Sequence, residues 1–329
     1  MLFIDNQHIT DPRINLAIEE YALTSLDPNR TYLLFYVNEP SIIIGKNQNT
    51  IEEINKDYVD QHNLHVVRRL SGGGAVYHDL GNLNFSFITK DDGDSFHNFR
   101  KFTQPVVDAL NKLGVEAELS GRNDIHVGER KISGNAQYAT KGRMFSHGTL
   151  LLHSEIENIV DALRVNEEKI RSKGIKSIRS RVANINDLLR APLNMDEFKQ
   201  LLLSSIFGES EDIPAYTLTE DDWKEINNIA DKRYKNWDWN YGKSPKFDLK
   251  RTKRFPAGTI DIRLNVAKGA IVSCNIFGDF FGVGDVKELE EQLVGVRYDK
   301  GSIEEALKDV DIHYYFGAVS KEEFVELVG

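Results

Sequence analysis

The sequence predicts an α/β (α+β) protein in two parts, a large mixed-sheet domain over residues 1–245 and a small α+β domain over residues 246–329. Three observations carry that expectation. A chain of 329 residues exceeds the usual size of one domain. Runs of branched and aromatic residues alternate with helical spacings through the first half. After the aromatic stretch Trp237-Asp238-Trp239-Asn240-Tyr241, the polar segment Gly242-Lys243-Ser244-Pro245 interrupts the pattern before a new alternation begins.

Taken in order, Asp11-Pro12 followed by Ile14, Ile18, Tyr21 and Ala22 reads as an N-capped amphipathic helix with proline at its first position. Tyr32 to Val37 and Ser41 to Gly45 read as strands parted by a turn at Asn38-Glu39-Pro40. Thr50-Ile51-Glu52-Glu53 reads as a capping box that opens a helix to about His62. Strands at His65 to Arg69, Ala75 to His78 and Leu83 to Thr89 surround a glycine run. A helix from Phe99 to Leu113 is closed by Gly114. Asp124 to Val127, Lys131 to Gln137 and Gly148 to His153 supply further strands, and helical patterns dominate from Asn158 to about Lys235. In the second part, Ile260, Ile262, Leu264 and Val266 alternate with Asp261, Arg263 and Asn265, and Lys268-Gly269 turns the chain into Val272, Cys274 and Ile276. Helices at Val286 to Leu293 and Ser320 to Val328 are expected to cover the apolar face of that hairpin.

Composition narrows the function classes. Hydrophobic content of 40% and charged content of 28% describe an ordinary globular protein. The N-terminus lacks a basic segment followed by an apolar run, and no stretch approaches a membrane-spanning length, so a cytoplasmic protein with no membrane partner is expected. The net charge of -10 argues against a general nucleic-acid binder. Against that acidic background, Lys169, Arg171, Lys173, Lys176, Arg179 and Arg181 form a basic segment with no acid between them, which suits a phosphate. The single cysteine, Cys274, excludes a disulfide framework and any zinc site built on several thiolates.

Ser71-Gly72-Gly73-Gly74 lies between strands and follows Arg68-Arg69, so backbone N–H groups converge beside fixed positive charge in a way that suits an anion. Taken alone, a glycine triplet is more often just a turn or a mobile loop, and it matches neither GxxxxGK[ST] nor GxGxxG. In Lys131-Ile132-Ser133-Gly134-Asn135-Ala136, strand alternation puts Lys131 and Ser133 on one face, aiming an ammonium suited to phosphate or to a developing oxyanion. Asn123-Asp124 suits a magnesium ion or an incoming amine, and is equally ordinary turn chemistry. His78 and His147 are candidate substrate contacts, although a lone histidine is more often structural.

Together these segments resemble the lipoate–protein ligase family, of the A type with a C-terminal accessory domain. The resemblance lies in Arg68-Arg69-Leu70-Ser71-Gly72-Gly73-Gly74-Ala75-Val76-Tyr77-His78-Asp79-Leu80-Gly81-Asn82, then Ser120-Gly121-Arg122-Asn123-Asp124, the Lys131 to Ala136 segment and His147-Gly148-Thr149-Leu150-Leu151. It continues through Lys173-Gly174-Ile175-Lys176-Ser177-Ile178-Arg179-Ser180-Arg181-Val182 and Trp239-Asn240-Tyr241-Gly242, covering nearly the full chain.

That resemblance implies a catalytic domain with the fold of biotin and lipoate ligases, and an enzyme using ATP and Mg²⁺. Lipoate is activated as lipoyl-AMP and passed to a lysine of a carrier domain. Arg69 and the segment Gly74, Ala75, Val76 and Tyr77 would contact ATP. Lys131 would act in catalysis, holding the α-phosphate and the lipoyl carbonyl oxygen. Lys176, Arg179 and Ser180 would close over the adenylate. Leu70, Ser71, Gly72, Gly73, Ser133, Gly134, Ala136, His147 and Gly148, with Val76, would contact lipoate, and Asp124 would hold Mg²⁺ or orient the amine. Expected partners are lipoic acid, with octanoic acid as an open alternative, and the lipoyl domains of 2-oxo acid dehydrogenase E2 subunits and the glycine-cleavage H protein.

Three alternatives differ in checkable ways. Octanoyl and lipoyl transferases of the same fold use a cysteine thioester, whereas Cys274 sits on a strand-like run of the second part and reads as core. Biotin ligases share the fold, but their Gly-Arg repeat motif is missing. A non-catalytic lipoate or nucleotide carrier has no use for Lys131 together with the complete glycine segment.

Overall fold

The computed structural model describes residues 1–163, 181–208, 212–242, 248–267 and 269–329. Leu2–Asp5 (β1), Pro12–Thr24 (α1), Tyr32–Val37 (β2), Ser41–Ile44 (β3), Thr50–Glu53 (α2), Lys56–His62 (α3), His65–Arg68 (β4), Val76–His78 (β5), Asn82–Lys90 (β6) and Phe99–Lys112 (α4) open the chain. Glu118–Ser120 (β7), Asp124–Val127 (β8), Arg130–Thr140 (β9), Arg143–Leu151 (β10), Ile156–Ala162 (α5), Met195–Phe207 (α6), Ala215–Tyr216 (β11), Glu220–Ile229 (α7) and Trp237–Asn240 (α8) follow. Among the described residues, eight strands form one sheet in the order β11-β1-β2-β6-β10-β9-β8-β7, and β4-β3-β5 form a second, smaller sheet.

Strand β2 explains why the large sheet sits at the centre. Its six residues are all buried. Leu33, Phe35 and Val37 join the cluster under α4 and α6, while Tyr32, Leu34 and Tyr36 join the cluster under α1 and α7. Both faces are covered by helices, so the strand reads as a continuous apolar run and not as an alternation. The Asp11 carboxylate accepts from Arg13 N at the start of α1, and Pro12 needs no N–H partner there.

Leu249–Phe255 (β12), Gly258–Ala267 (β13) and Ala270–Gly278 (β14) form a third sheet. With Val286–Leu293 (α9), Lys300–Ala306 (α10), Ile312–Phe316 (α11) and Lys321–Val328 (α12) it encloses its own apolar cluster, including Ile260, Ile262, Leu264, Cys274 and Leu289.

Several local expectations are corrected. Thr50 does not cap a helix running to His62: Ile54 takes an extended conformation, Asn55 caps α3, and the Thr50 hydroxyl donates to Asn240 O. The strand expected from Gly148 starts at Arg143, because β9 and β10 form one long hairpin through Lys141 and Gly142, both at positive φ. Helices from Asn158 to Lys235 are interrupted by β11. In β14, Val272 is 52% exposed and Ile271 is buried in its place, because the register slips between Asn265 and Val266 and reverses which side chains face the core. Arg263, expected on a solvated face, is buried between Asp261 and Glu52.

Candidate active site

The glycine segment is held at both ends by one strand. Strand β3 pairs in parallel with β4 and antiparallel with β5, so the chain from Arg69 to Ala75 must loop out between their ends. Lys46 N donates to Ser71 O at 2.9 Å and Arg69 N to Ile44 O at 2.9 Å, fastening the loop to the end of β3.

The two arginines divide the work. Arg68 is fully buried and pairs with no carboxylate among the described residues. Its guanidinium donates to the carbonyls of Gly45, Lys46, Gln48 and Trp239 and to the Thr50 hydroxyl, tying the 45–50 loop to the aromatic segment. Arg69 donates to Ser71 Oγ at 3.0 Å and to the carbonyls of Ile43, Gly72 and Gly74, and lines the cavity. Burial pulls both guanidinium groups down to about 10, which still leaves them charged at neutral pH. Gly73 has φ +90, and a Cβ there would lie 2.9 Å from the Phe281 ring, so only glycine suits this position.

A cavity of about 170 Å³ opens beside this loop. Of the residues expected at the site, Arg69, Gly73, Gly74, Ala75, Val76, Lys131, Gly134, Ala136, His147 and Gly148 line it. The others lie behind or beside the wall. Leu70 packs in the α1 core and Tyr77 in the core of the small sheet. Gly72 abuts Phe280 O, Ser71 is hydrogen-bonded to His147, and Ser133 accepts from the Asn135 amide. Lys176, Arg179 and Ser180 lie outside the described residues. The described chain resumes at Arg181, and Val182 forms a parallel bridge to Lys131, with Ala183 N donating to Lys131 O at 3.0 Å.

Lys131 and Ser133 do not share a face as strict alternation predicts. A register shift sets both Ile125 to Ser133 and His126 to Lys131, leaving Ile132 as the extra residue. The bulge brings Lys131 over Gly134, where a Cβ would lie 2.9 Å from its Nζ. Lys131 Nζ pairs with Asp124 Oδ1 at 2.9 Å. Asp124 thus offers one carboxylate, and no cluster of three metal-binding side chains occurs among the described residues. Such a site fits a Mg²⁺ only if phosphate oxygens and water complete its shell.

Two hydrogen-bonded chains run to the cavity from α1, starting one helical turn apart. Glu19 accepts from His147 Nδ1 at 2.9 Å, and His147 Nε2 lies 2.8 Å from Ser71 Oγ. Ser71 Oγ also accepts from Arg69 Nε, so the serine hydroxyl links that guanidinium to His147. Asn15 leads through Asn38 to His78. Burial, with help from Arg69 and His147, lowers His78 to about 3, so it is neutral at physiological pH.

Sequence reading missed Leu16, Tyr36, Ile43, Asn84 and Phe281 as cavity residues, and Glu19 as the partner of His147. Asn84, a buried amide inside an apolar strand, carried a usable signal. Phe281 carried none, since it arrives from the third sheet's unit. Arg122 stacks on its ring at 4.3 Å and donates to Ala257 O, and Gly278 N donates to Asn47 O.

The comparisons with known proteins agree with one another. A model described as Lipoyl protein ligase A/B catalytic domain matches residues 11–207, and one described as Bacterial lipoate protein ligase C-terminus matches residues 244–328. The chain is 64% identical over 330 residues to Lipoate-protein ligase LplJ of Bacillus subtilis (strain 168), covering 100% of each. Among solved structures it is similar to P. falciparum LipL1 in complex with lipoate, with a TM-score of 0.81, 27% identity, and coverage of 99% of this chain and 97% of that one. It is also similar to a lipoate-protein ligase A bound with ATP, with a TM-score of 0.62, 32% identity, and coverage of 74% and 97%.

Proposed function

This chain belongs to the lipoate–protein ligase family, and from that premise we propose that it activates lipoate with ATP and joins the lipoyl group to a lysine of a carrier domain. The observation that carries the reading is the cavity itself. Its lining grades in exposure from buried Leu16, Tyr36 and Ile43, with the buried polar groups of Arg69, His78 and Asn84, to the half-exposed Lys131. An acyl chain with a carboxylate head matches that gradient.

A carboxylate is a poor electrophile. Its oxygen attacks the α-phosphorus of ATP, pyrophosphate leaves, and the mixed anhydride carries AMP as a good leaving group. Arg69 and the N–H groups of the glycine loop would offset phosphate charge, and Lys131 would hold the α-phosphate and the acyl oxygen. In the second step the carrier amine attacks the acyl carbon, the carbonyl oxygen gains negative charge opposite Lys131, and the carbon–oxygen bond to AMP breaks. Asp124, already paired with Lys131, would steer that ammonium and offer one ligand to Mg²⁺, which would neutralise phosphate oxygens when bound. Lys176, Arg179 and Ser180 would close over the adenylate, and Val182, two residues further on, bridges to Lys131.

The remaining parts of the reading follow the same logic. A catalytic unit over 1–245 and an accessory unit over 246–329 are supported by the separate apolar cluster of the latter. Lipoyl domains of 2-oxo acid dehydrogenase E2 subunits and the glycine-cleavage H protein are the proposed acceptors. A cytoplasmic setting is proposed for a chain in which no described helix is long and apolar enough to cross a membrane. A thioester route is disfavoured, because Cys274 is buried in the accessory core and burial, with Glu290 nearby, pushes its thiol up to about 12.

Lipoate-dependent exchange of labelled pyrophosphate into ATP tests the reading. Exchange by the wild-type protein that falls about 100- to 1000-fold in Lys131→Ala is expected. No exchange by the wild-type protein in the presence of lipoate, ATP and Mg²⁺ would sink it.

A further inference from the structure

His78 is buried at 4% exposure and lines the cavity, and its Nε2 has no hydrogen-bond partner. An unpaired polar atom in such a place is costly unless something else fills the need, so its protonation state decides what it asks for.

The surrounding amides fix that state. Asn15 Nδ2 lies 2.9 Å from Ile9 O and 3.2 Å from Val37 O, and carbonyls only accept, so this atom is the amide nitrogen. It also donates to Asn38 Oδ1 at 2.9 Å. Asn38 therefore turns its Nδ2 toward His78 Nδ1, 3.0 Å away, and that ring nitrogen must accept. A neutral imidazole with an accepting Nδ1 carries its proton on Nε2. The wall thus presents this N–H donor in a lining that also holds Leu16, Tyr36, Ile43, Asn84 and Arg69.

We infer that the Nε2–H of His78 sets a preference for lipoate over octanoate by donating to a ring sulfur of the dithiolane. With the carboxylate at the half-exposed Lys131, we place the far end of an eight-carbon acid among the buried lining residues, which include Leu16, Tyr36, Ile43, Asn84 and His78. Lipoate ends there in two sulfurs, which are weak acceptors, whereas octanoate ends in a methyl group and leaves the donor unpaired. A site built around a donor discriminates against the analogue that lacks its acceptor. The inference rests on the ligase reading above and names a specificity-determining residue for it.

The test compares kcat/KM for lipoate and octanoate in pyrophosphate exchange by the wild-type protein, His78→Phe and His78→Gln. The ratio of lipoate to octanoate is expected to fall about tenfold in His78→Phe and to be largely kept in His78→Gln, whose amide restores a donor near the same point. An unchanged ratio in His78→Phe, or an equal loss in both variants, overturns the inference. Should the variants not fold, nitrogen-15 spectra of histidine-labelled wild-type protein decide. A proton on Nε2 and a shift of that resonance with lipoate but not octanoate are expected. A proton on Nδ1, or equal responses to the two acids, overturns it. Wild-type protein that shows no exchange with either acid instead defeats the ligase reading.

Discussion

Two nearly inaccessible guanidinium groups, one in each half of the molecule, are stabilised in opposite ways. Arg68 is surrounded by neutral carbonyl oxygens and one hydroxyl, and burial draws it down to about 10. Arg263, 2% exposed, donates to both carboxylate oxygens of Glu52 and of Asp261, which outweigh its burial and push it up. In this half, then, the guanidinium groups of Arg68 and Arg69 are hydrogen-bonded to neutral oxygens, whereas the ammonium of Lys131 pairs with Asp124. Arg69 held this way suits a site meant to receive phosphate. At Arg263 the charge is cancelled, and what it contributes is a link between α2 and β13.

The largest break in this contrast is expected from Arg68→Met. Removing the guanidinium leaves several buried carbonyls without donors, and a loss of about 3 kcal/mol or more in urea unfolding is predicted. Arg68→Lys should recover only part of it, since an ammonium cannot span that set of acceptors. Equal stability of Arg68→Met and wild type would show that the loop does not depend on this residue.

A second effect follows from His78, a basic group in the same half that is depressed for the same reason. Its folded value of about 3 lies below the usual 6.5, so on acidification the unfolded chain takes up the proton first. The contribution is complete above pH 6.5 and is lost as pH falls from 6.5 toward 3, with a slope of up to about 1.4 kcal/mol per pH unit. At pH 5 that amounts to about 2 kcal/mol. Unfolding free energies of wild type and His78→Gln measured from pH 7 to 4 should diverge in slope, and parallel curves would contradict the buried neutral state.

The smallest effect belongs to the other half. Glu52→Gln should cost less than about 1 kcal/mol, because the Glu52 side chain is 43% exposed and water screens the pair. The cost should shrink in high salt, when measured by denaturant titration. A loss as large as that of Arg68→Met would mean that the link between the two halves carries much of the fold's stability.

Much of this was legible in the chain. The Asp11-Pro12 helix start, the β2 run, the glycine loop and Lys131 all depend on local pattern, and ten of the expected site residues meet at one cavity. Other errors share a cause. One inserted residue, at Ile132 or near Asn265, reverses the parity of a strand, and strict alternation carries no mark of where a bulge falls. Arg68 and Arg69 look alike in sequence, yet one is spent on loop carbonyls and the other lines the cavity.

What the sequence determined by itself is whatever neighbours within a turn or a strand enforce: caps, amphipathic faces, and residue types suited to phosphate beside a flexible loop. Only the tertiary structure decided which of those residues meet. Leu16, Tyr36, Lys131, His147 and Phe281 lie far apart along the chain and line one cavity. The Asn15 to His78 chain of amides likewise exists only once α1 packs beside the turn after β2 and the end of β5. Hydrogen-bond direction is settled by fixed carbonyls of the backbone, and these take their places only when the chain has folded.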